Sequence, residues 1–171
     1  LEQPVPAARR GLEIARAAGV TTVFNPAPAM PFDAAIYPLV DFITPNETET
    51  AAITGLPVTT VDEARKAGDA LIKMGVGTAL ITLGGKGALF HDKHRSELVP
   101  AFHAGPVVET AGAGDAFNGG FAAALAEGID PVTAARFGCA VAGISVTRPG
   151  TAPSMPSRAE VDALLKSGGH G

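Results

Sequence analysis

Apolar and polar positions alternate along this chain in two periods, and the switch between them lays out the elements. Apolar residues fall at helical spacing over 7–19, "AARRGLEIARAAG", and Gly19 reads as a stop. "VTTVF" then predicts a short strand, and "NPAPAMP" a proline-rich loop. A weaker helical pattern over 33–39 leads into "DFIT", a buried strand. "NETETAAITG" predicts a short helix with acidic residues in its first turn, and "VDEARKAGDALIKMG" an amphipathic helix. "TALITL" predicts a buried strand, "GGKG" a turn, and "ALFH", "DKHR" and "SELVP" a hairpin with its tip at 92–95. Two helices rich in small residues follow over 114–127 and 131–146. "RPGTAPSMP" is expected as a loop, "SRAEVDALLKS" as a last helix and "GGHG" as a frayed tail.

Strands that alternate with helices predict a layered α/β domain, Rossmann-like, with a mostly parallel sheet and a hairpin at one edge. Ligands of such sheets sit at the C-terminal ends of the strands. "NPAPA", "TPNETE" and "LGGKG" each follow a predicted strand, so they are expected to converge on one edge. No internal repeat and no low-complexity linker interrupts the pattern.

Composition narrows the function. Of 171 residues, 46% are hydrophobic and 18% charged, a globular balance with enough chain for one sizeable core. A formal net charge of −4 gives no support to nucleic-acid binding or to an anionic membrane surface. No apolar run is long enough for a membrane span, and "LEQPVPAARR" lacks the pattern of a signal peptide. The single cysteine, Cys139, leaves no internal disulfide and fits a reducing, cytoplasmic setting. Its neighbours are apolar and no histidine lies near it in sequence, so it reads as a small buried residue. The chain opens on Leu1 and runs at once into a helical pattern, which leads us to expect a processed product or a piece of a longer protein.

The stretch "ETAGAGDAFNGG", residues 109–120, carries the strongest chemistry. Gly112, Ala113 and Gly114 stand directly before Asp115 and a predicted helix. A helix start offers unpaired N–H groups and the positive end of a dipole, so the stretch reads as an anion cradle with a carboxylate beside it. It reads equally as a tight turn with Asp115 as a helix cap. "TLGGKG" sets glycines after a strand, where backbone N–H groups could approach a nucleotide, with Thr82 and Lys86 as polar contacts; taken alone, a glycine-rich turn explains it as well. Asn46 and Glu49 stand at i, i+3 on a helix start, suited to hydrated Mg²⁺ or to a phosphate, and suited also to simple capping. His91 and His94 straddle the hairpin tip with no third ligand, and are expected as solvated loop residues. A Walker A pattern and a G-x-G-x-x-G fingerprint are both missing, which speaks against a P-loop ATPase and a dinucleotide oxidoreductase.

"NPAPA", "DFITPNETE", "ALITLGGKG", "TAGAGDAFNGG" and "VTRPGTAPSMP" stand in one order, and in that order the chain resembles the PfkB carbohydrate kinase family. The resemblance covers essentially all 171 residues and corresponds to the C-terminal part of the family's ribokinase-like fold. It implies ATP-dependent phosphorylation of a sugar's primary hydroxyl. "NPAPA" with "TPNETE" points more narrowly to ribose as the substrate, with fructose or a nucleoside as the nearest alternatives. It implies that Asp115 is the catalytic base and that Gly112, Ala113 and Gly114 form an anion hole. Asn46 and Glu49 match an N-x-x-E motif that handles ATP phosphates and hydrated Mg²⁺. Thr82, Gly84, Gly85, Lys86 and Gly87 match a nucleotide-contacting loop, Cys139 falls at the adenine pocket, and Glu2 falls at a sugar contact. A K⁺ site is implied at Glu109, Ala111, Ser145, Arg148, Gly150 and Ser154, several through backbone carbonyls. Position 109 is usually Asp in such kinases and is Glu here. The family's lid, an early sugar-binding Asp and a glycine-rich sugar motif have no counterpart in this chain, so a homodimer paired through lid strands is expected of the complete enzyme only. A non-catalytic nucleotide-binding module is the rival reading.

Overall fold

The computed structural model describes residues 2–168 and divides into two compact units. One comprises Leu1–Leu83 with Leu89–Leu98, the other Gly84–Ala88 with Val99–Gly171. The tail expected at 168–171 lies, beyond Gly168, outside the described residues.

The first unit begins with α1 (Val5–Ala17), which ends beside Gly19 in a left-handed conformation (φ 68°). It continues through β1 (Val23–Phe24), a 3-10 helix at Ala34–Leu39, β2 (Phe42–Ile43), α2 (Glu47–Thr54), α3 (Val61–Lys73) and β3 (Thr78–Thr82). Then come β4 (Ala88–His91) and β5 (Ser96–Val99), joined by a turn that the Asp92 N–H to Arg95 C=O bond closes at 2.9 Å. The sheet runs β1-β2-β3-β4-β5, with β1, β2 and β3 parallel and the hairpin at one edge, as the pattern predicts. The first two strands are shorter than the sequence suggests, with only two ladder residues each. Thr22 explains part of this: its hydroxyl and N–H are spent on Leu39 and on the Asp41 side chain just before the ladder begins. Phe24, Ile43, Ile81, Ile36 and Leu71 are buried in one core, which α3 covers with its apolar face. Asp69, on α3, meets His91 through that helix's rim.

His91 corrects the expectation of a solvated loop residue. It lies in β4 and is only 6% exposed. Its ring nitrogens bond Asp69 (3.0 Å) and the Ser96 hydroxyl (2.9 Å), while His94 stays exposed at the tip. A buried imidazole is tolerated because both nitrogens have partners.

The second unit is built on α4 (Ala113–Ala126) and α5 (Pro131–Ser145), followed by a 3-10 turn at Ala152–Ser154 inside the expected loop and by α6 (Arg158–Ser167). The small residues of α4 and α5 have a packing reason. A Cβ on Gly120 would stand 2.7 Å from Val141 and 3.1 Å from the Gly138 backbone; one on Gly138 would stand 2.8 Å from the Phe117 carbonyl. The two helices therefore approach backbone to backbone, and Phe117, Phe121, Phe137 and Ile144 are buried around that seam. Arg158 lies over the Phe137 ring at 4.8 Å and pairs with Glu127, tying α6 to its neighbours. Among the described residues no helix is long and apolar enough to cross a membrane.

Candidate active site

In the first unit, the C-terminal ends of β2 and β3 bring the predicted residues together. Asn46 and Thr82 form a parallel bridge, and the Thr82 N–H donates to the Pro45 carbonyl at 2.9 Å. Asn46 then starts α2 through a reciprocal capping box: its Oδ1 accepts from the Glu49 N–H (2.8 Å), and Glu49 Oε2 accepts from the Asn46 N–H (2.9 Å). So the capping role does exist. It fixes the two side chains, and Glu49 stands only 6% exposed beyond the C-terminal end of β2. A single carboxylate of this kind suits Mg²⁺, which keeps several waters and takes its other ligands from phosphates. Glu2 is exposed ahead of α1.

A cavity of about 570 Å³ in this unit opens at the other end of the strands, lined by Arg16, Val20, Asp41 and Thr78 among others. Arg16 is already paired there with Asp41 at 2.6 Å. Ligands of parallel sheets bind at the opposite, C-terminal ends. The Asn46 end of the strands is therefore the one suited to a ligand, and this cavity is not.

In the second unit, Gly84–Lys86 forms a 3-10 turn with all three residues exposed, and the Gly87 N–H closes it on Gly84 at 3.0 Å. Gly87 has φ 103°, and a Cβ there would lie 2.0 Å from the Val99 carbonyl, so no other residue fits. The α4 start removes one reading of "ETAGAGDAFNGG", that Asp115 caps the helix. Gly112 is the N-cap, in a left-handed conformation (φ 78°), and it offers no side-chain cap. Asp115 is thus not the cap; it is the third helical residue and is exposed. The Ala113 N–H turns back to Thr110 at 3.2 Å, while the N–H groups of Gly114 and Asp115 are given no acceptor among the described residues. A Cβ on Gly114 would meet nothing within 4 Å, so that side of the turn is open. The result is two donors at the positive end of a 14-residue helix, with a carboxylate beside them.

The loop beside this turn is held by Glu109. Its Oε2 accepts from the Gly150 N–H at 2.7 Å, and Gly150 has φ 83°. The hydroxyls of the buried Ser145 and Ser154 donate to the Ala142 (2.9 Å) and Thr151 (2.6 Å) carbonyls. Arg148 pairs with Glu160. The serine oxygens keep their lone pairs while they donate, so they, the backbone carbonyls and the Glu109 carboxylate are all groups chemically suited to a cation. Cys139, 5% exposed on α5, has its thiol pushed up to about 12 by burial, which makes it a packing residue and not a nucleophile. One contact escaped the sequence reading: Asn118 Nδ2 donates to the Gly114 carbonyl at 2.9 Å. Its only signal in the sequence is a donor four residues after the glycine.

The fold and this helix start define a class, an α/β protein with a glycine turn that sets N–H donors and a carboxylate at the start of a helix. Residues 2–158 match the model of the pfkB family of carbohydrate kinases, and the chain belongs to that family. It is 41% identical over 166 residues to a ribokinase of Haemophilus influenzae, covering 97% of this chain and 54% of that protein. It is 37% identical to a deoxyribokinase of Salmonella typhi, covering 96% and 54%. Among solved structures, the ribokinase of Arabidopsis thaliana complexed with ribose and ATP superposes with a TM-score of 0.91 at 32% identity, over 95% of this chain and 53% of that one. The chain thus spans about half the length of the curated relatives it matches.

Proposed function

We propose that this chain is the nucleotide-binding and catalytic half of a cytoplasmic, ATP-dependent sugar kinase whose substrate is D-ribose and whose product is ribose 5-phosphate. The observation that carries the proposal is the exposed Asp115 carboxylate beside two N–H groups that find no acceptor among the described residues, at the start of α4. Phosphoryl transfer asks a protein mainly for positioning and charge stabilisation. In this reading Asp115 takes the proton from the sugar's primary hydroxyl as its oxygen attacks the γ-phosphorus. The bond from that phosphorus to the leaving ADP oxygen breaks, and the Gly112–Gly114 turn stabilises charge on the phosphoryl group in flight. Asn46 and Glu49 handle the ATP phosphates and the waters of Mg²⁺, which when bound would neutralise phosphate charge. Thr82, Gly84, Gly85, Lys86 and Gly87 contact the nucleotide, Cys139 lines the adenine pocket, and Glu2 touches the sugar. Glu109, Ala111, Ser145, Arg148, Gly150 and Ser154 would hold a K⁺ ion, which would fix the loop beside the anion-binding turn. The relatives named ribokinase, and the ribose and ATP in the Arabidopsis structure, support this reading.

A second reading is an incomplete module that binds nucleotide without turnover, favoured by the chain's span of about half its relatives. Both lead to the same expectation for the 171 residues alone: weak binding of ADP or ATP and no sugar phosphorylation. Positioning accounts for ~7–11 kcal/mol of such a barrier, and Glu2 alone does not orient a ribose. The test mixes ATP, Mg²⁺, K⁺ and ribose, deoxyribose or fructose with the chain, and in parallel with a chimera that joins it to the remainder of the Haemophilus influenzae relative. Ribose-dependent ADP release by the chimera is expected, and Asp115→Asn should lower its kcat by about 10²–10⁴ with little change in nucleotide affinity. Near-normal turnover in that variant would remove Asp115 from the mechanism.

A further inference from the structure

We infer that Asn118 is a positioning residue for the anion-binding turn, acting through the Gly114–Asp115 peptide; this rests on the proposed function. Helix geometry already aims the Asn118 backbone N–H at the Gly114 carbonyl, four residues back. The Asn118 side chain adds a second donor to the same oxygen, at 2.9 Å. That carbonyl belongs to the peptide whose other end is the Asp115 N–H, one of the two donors with no acceptor among the described residues. Hydrogen bonds polarise along a chain of amide groups: a carbonyl that accepts twice draws electron density from its own N–H and makes it a stronger donor. Asn118 also fixes the plane of that peptide, and with it the direction of the N–H. The effect grows with charge on the anion. In the proposed reaction this turn faces the phosphoryl group in flight and not the ADP part of the nucleotide, so the stronger donor acts on the transfer step, and such a difference is what raises kcat.

The alternative is local helix packing without consequence for the site, and the test separates the two. In the 171-residue chain, Asn118→Ala removes the donor, and Asn118→Ser restores one, because a serine hydroxyl reaches the carbonyl four residues back. The Gly114 carbonyl ¹³C and Asp115 amide ¹⁵N shifts should move in Asn118→Ala and return in Asn118→Ser. ADP affinity should stay within about twofold, while the extra affinity gained with aluminium fluoride, which mimics the phosphoryl group, falls about 3- to 10-fold and recovers with serine. In the chimera, kcat should fall by a similar factor with the KM for ATP unchanged. Unmoved shifts, or a loss shared equally by ADP and its aluminium fluoride complex, would overturn the inference while the proposed function stands. An unmodified chain that binds neither probe would overturn the proposed function and this inference with it.

Discussion

The carboxylate of Glu109 accepts a 2.7 Å hydrogen bond from the backbone N–H of Gly150, 41 residues further along the chain. The two methylenes of the Glu109 side chain carry its carboxylate out to that N–H. The bond closes the 145–154 loop against the segment that leads into α4.

Glu109→Ala should destabilise the chain by about 1–3 kcal/mol, the range for a part-buried bond to a charged acceptor, with Glu109→Gln closer to the native value. Urea unfolding of the 171 residues checks this. In the chimera, K⁺ should raise activity above Na⁺ by fixing the same loop. Equal rates in K⁺, Na⁺ and a bulky organic cation would rule out a K⁺ site at Glu109.

Gly68→Ala should destabilise the first unit, although alanine is the better helix former. A Cβ at Gly68 would stand 2.7 Å from both Cγ and Cδ2 of His91. The ring cannot swing away, because Asp69 and Ser96 hold its two nitrogens and Arg65 Nη1 donates to the Ser96 hydroxyl at 2.7 Å. Overpacking of this kind costs about 1–3 kcal/mol. In a His91→Ala background the same substitution should become neutral or favourable, read as a double-mutant cycle.

Cys139 should resist iodoacetamide in the native chain at pH 8 and react after unfolding. Burial pushes its thiol up to about 12, while an unfolded thiol titrates near 9. The raised value is a stability contribution that is whole below about pH 9 and is lost as pH rises from there toward 12. Cys139→Ala should flatten the alkaline limb of the stability curve. A native thiol labelled as fast as the unfolded one would contradict the buried position.

The cap of α6 should weaken in acid. The Ser157 backbone N–H, then Arg148 and the Ser157 hydroxyl, bring the Glu160 carboxyl down to about 2. A lowered carboxyl stabilises above its unfolded value near 4.5, and that contribution is lost as pH falls through 2. Glu160→Gln should remove the acid dependence of α6 helicity over that window, measured by amide exchange. An unchanged profile would show that the cap carries no such linkage.

The order of elements was written in the chain because period and punctuation are local. Helical spacing over 7–19, the continuous apolar "TALITL" and the turn at "DKHR" needed no partner to be read. So was the Asn46–Glu49 relation, since a residue three places along a helix start lies on the same face. The glycine turn before Asp115 was legible too, but the capping role of Asp115 fell away only when the backbone set Gly112 as the N-cap and left Asp115 exposed. His91 was misjudged because hairpin position says nothing of what packs on its ring; Asp69 and Ser96 arrive from 22 residues before and five after. Glu109 and Gly150 likewise meet only when α4 and α5 fold against one another, a seam that requires glycine at 120 and 138. Sequence spacing fixes contacts within a turn or two of chain. Contacts between segments tens of residues apart depend on how closely backbones can approach, and only the tertiary structure decides that.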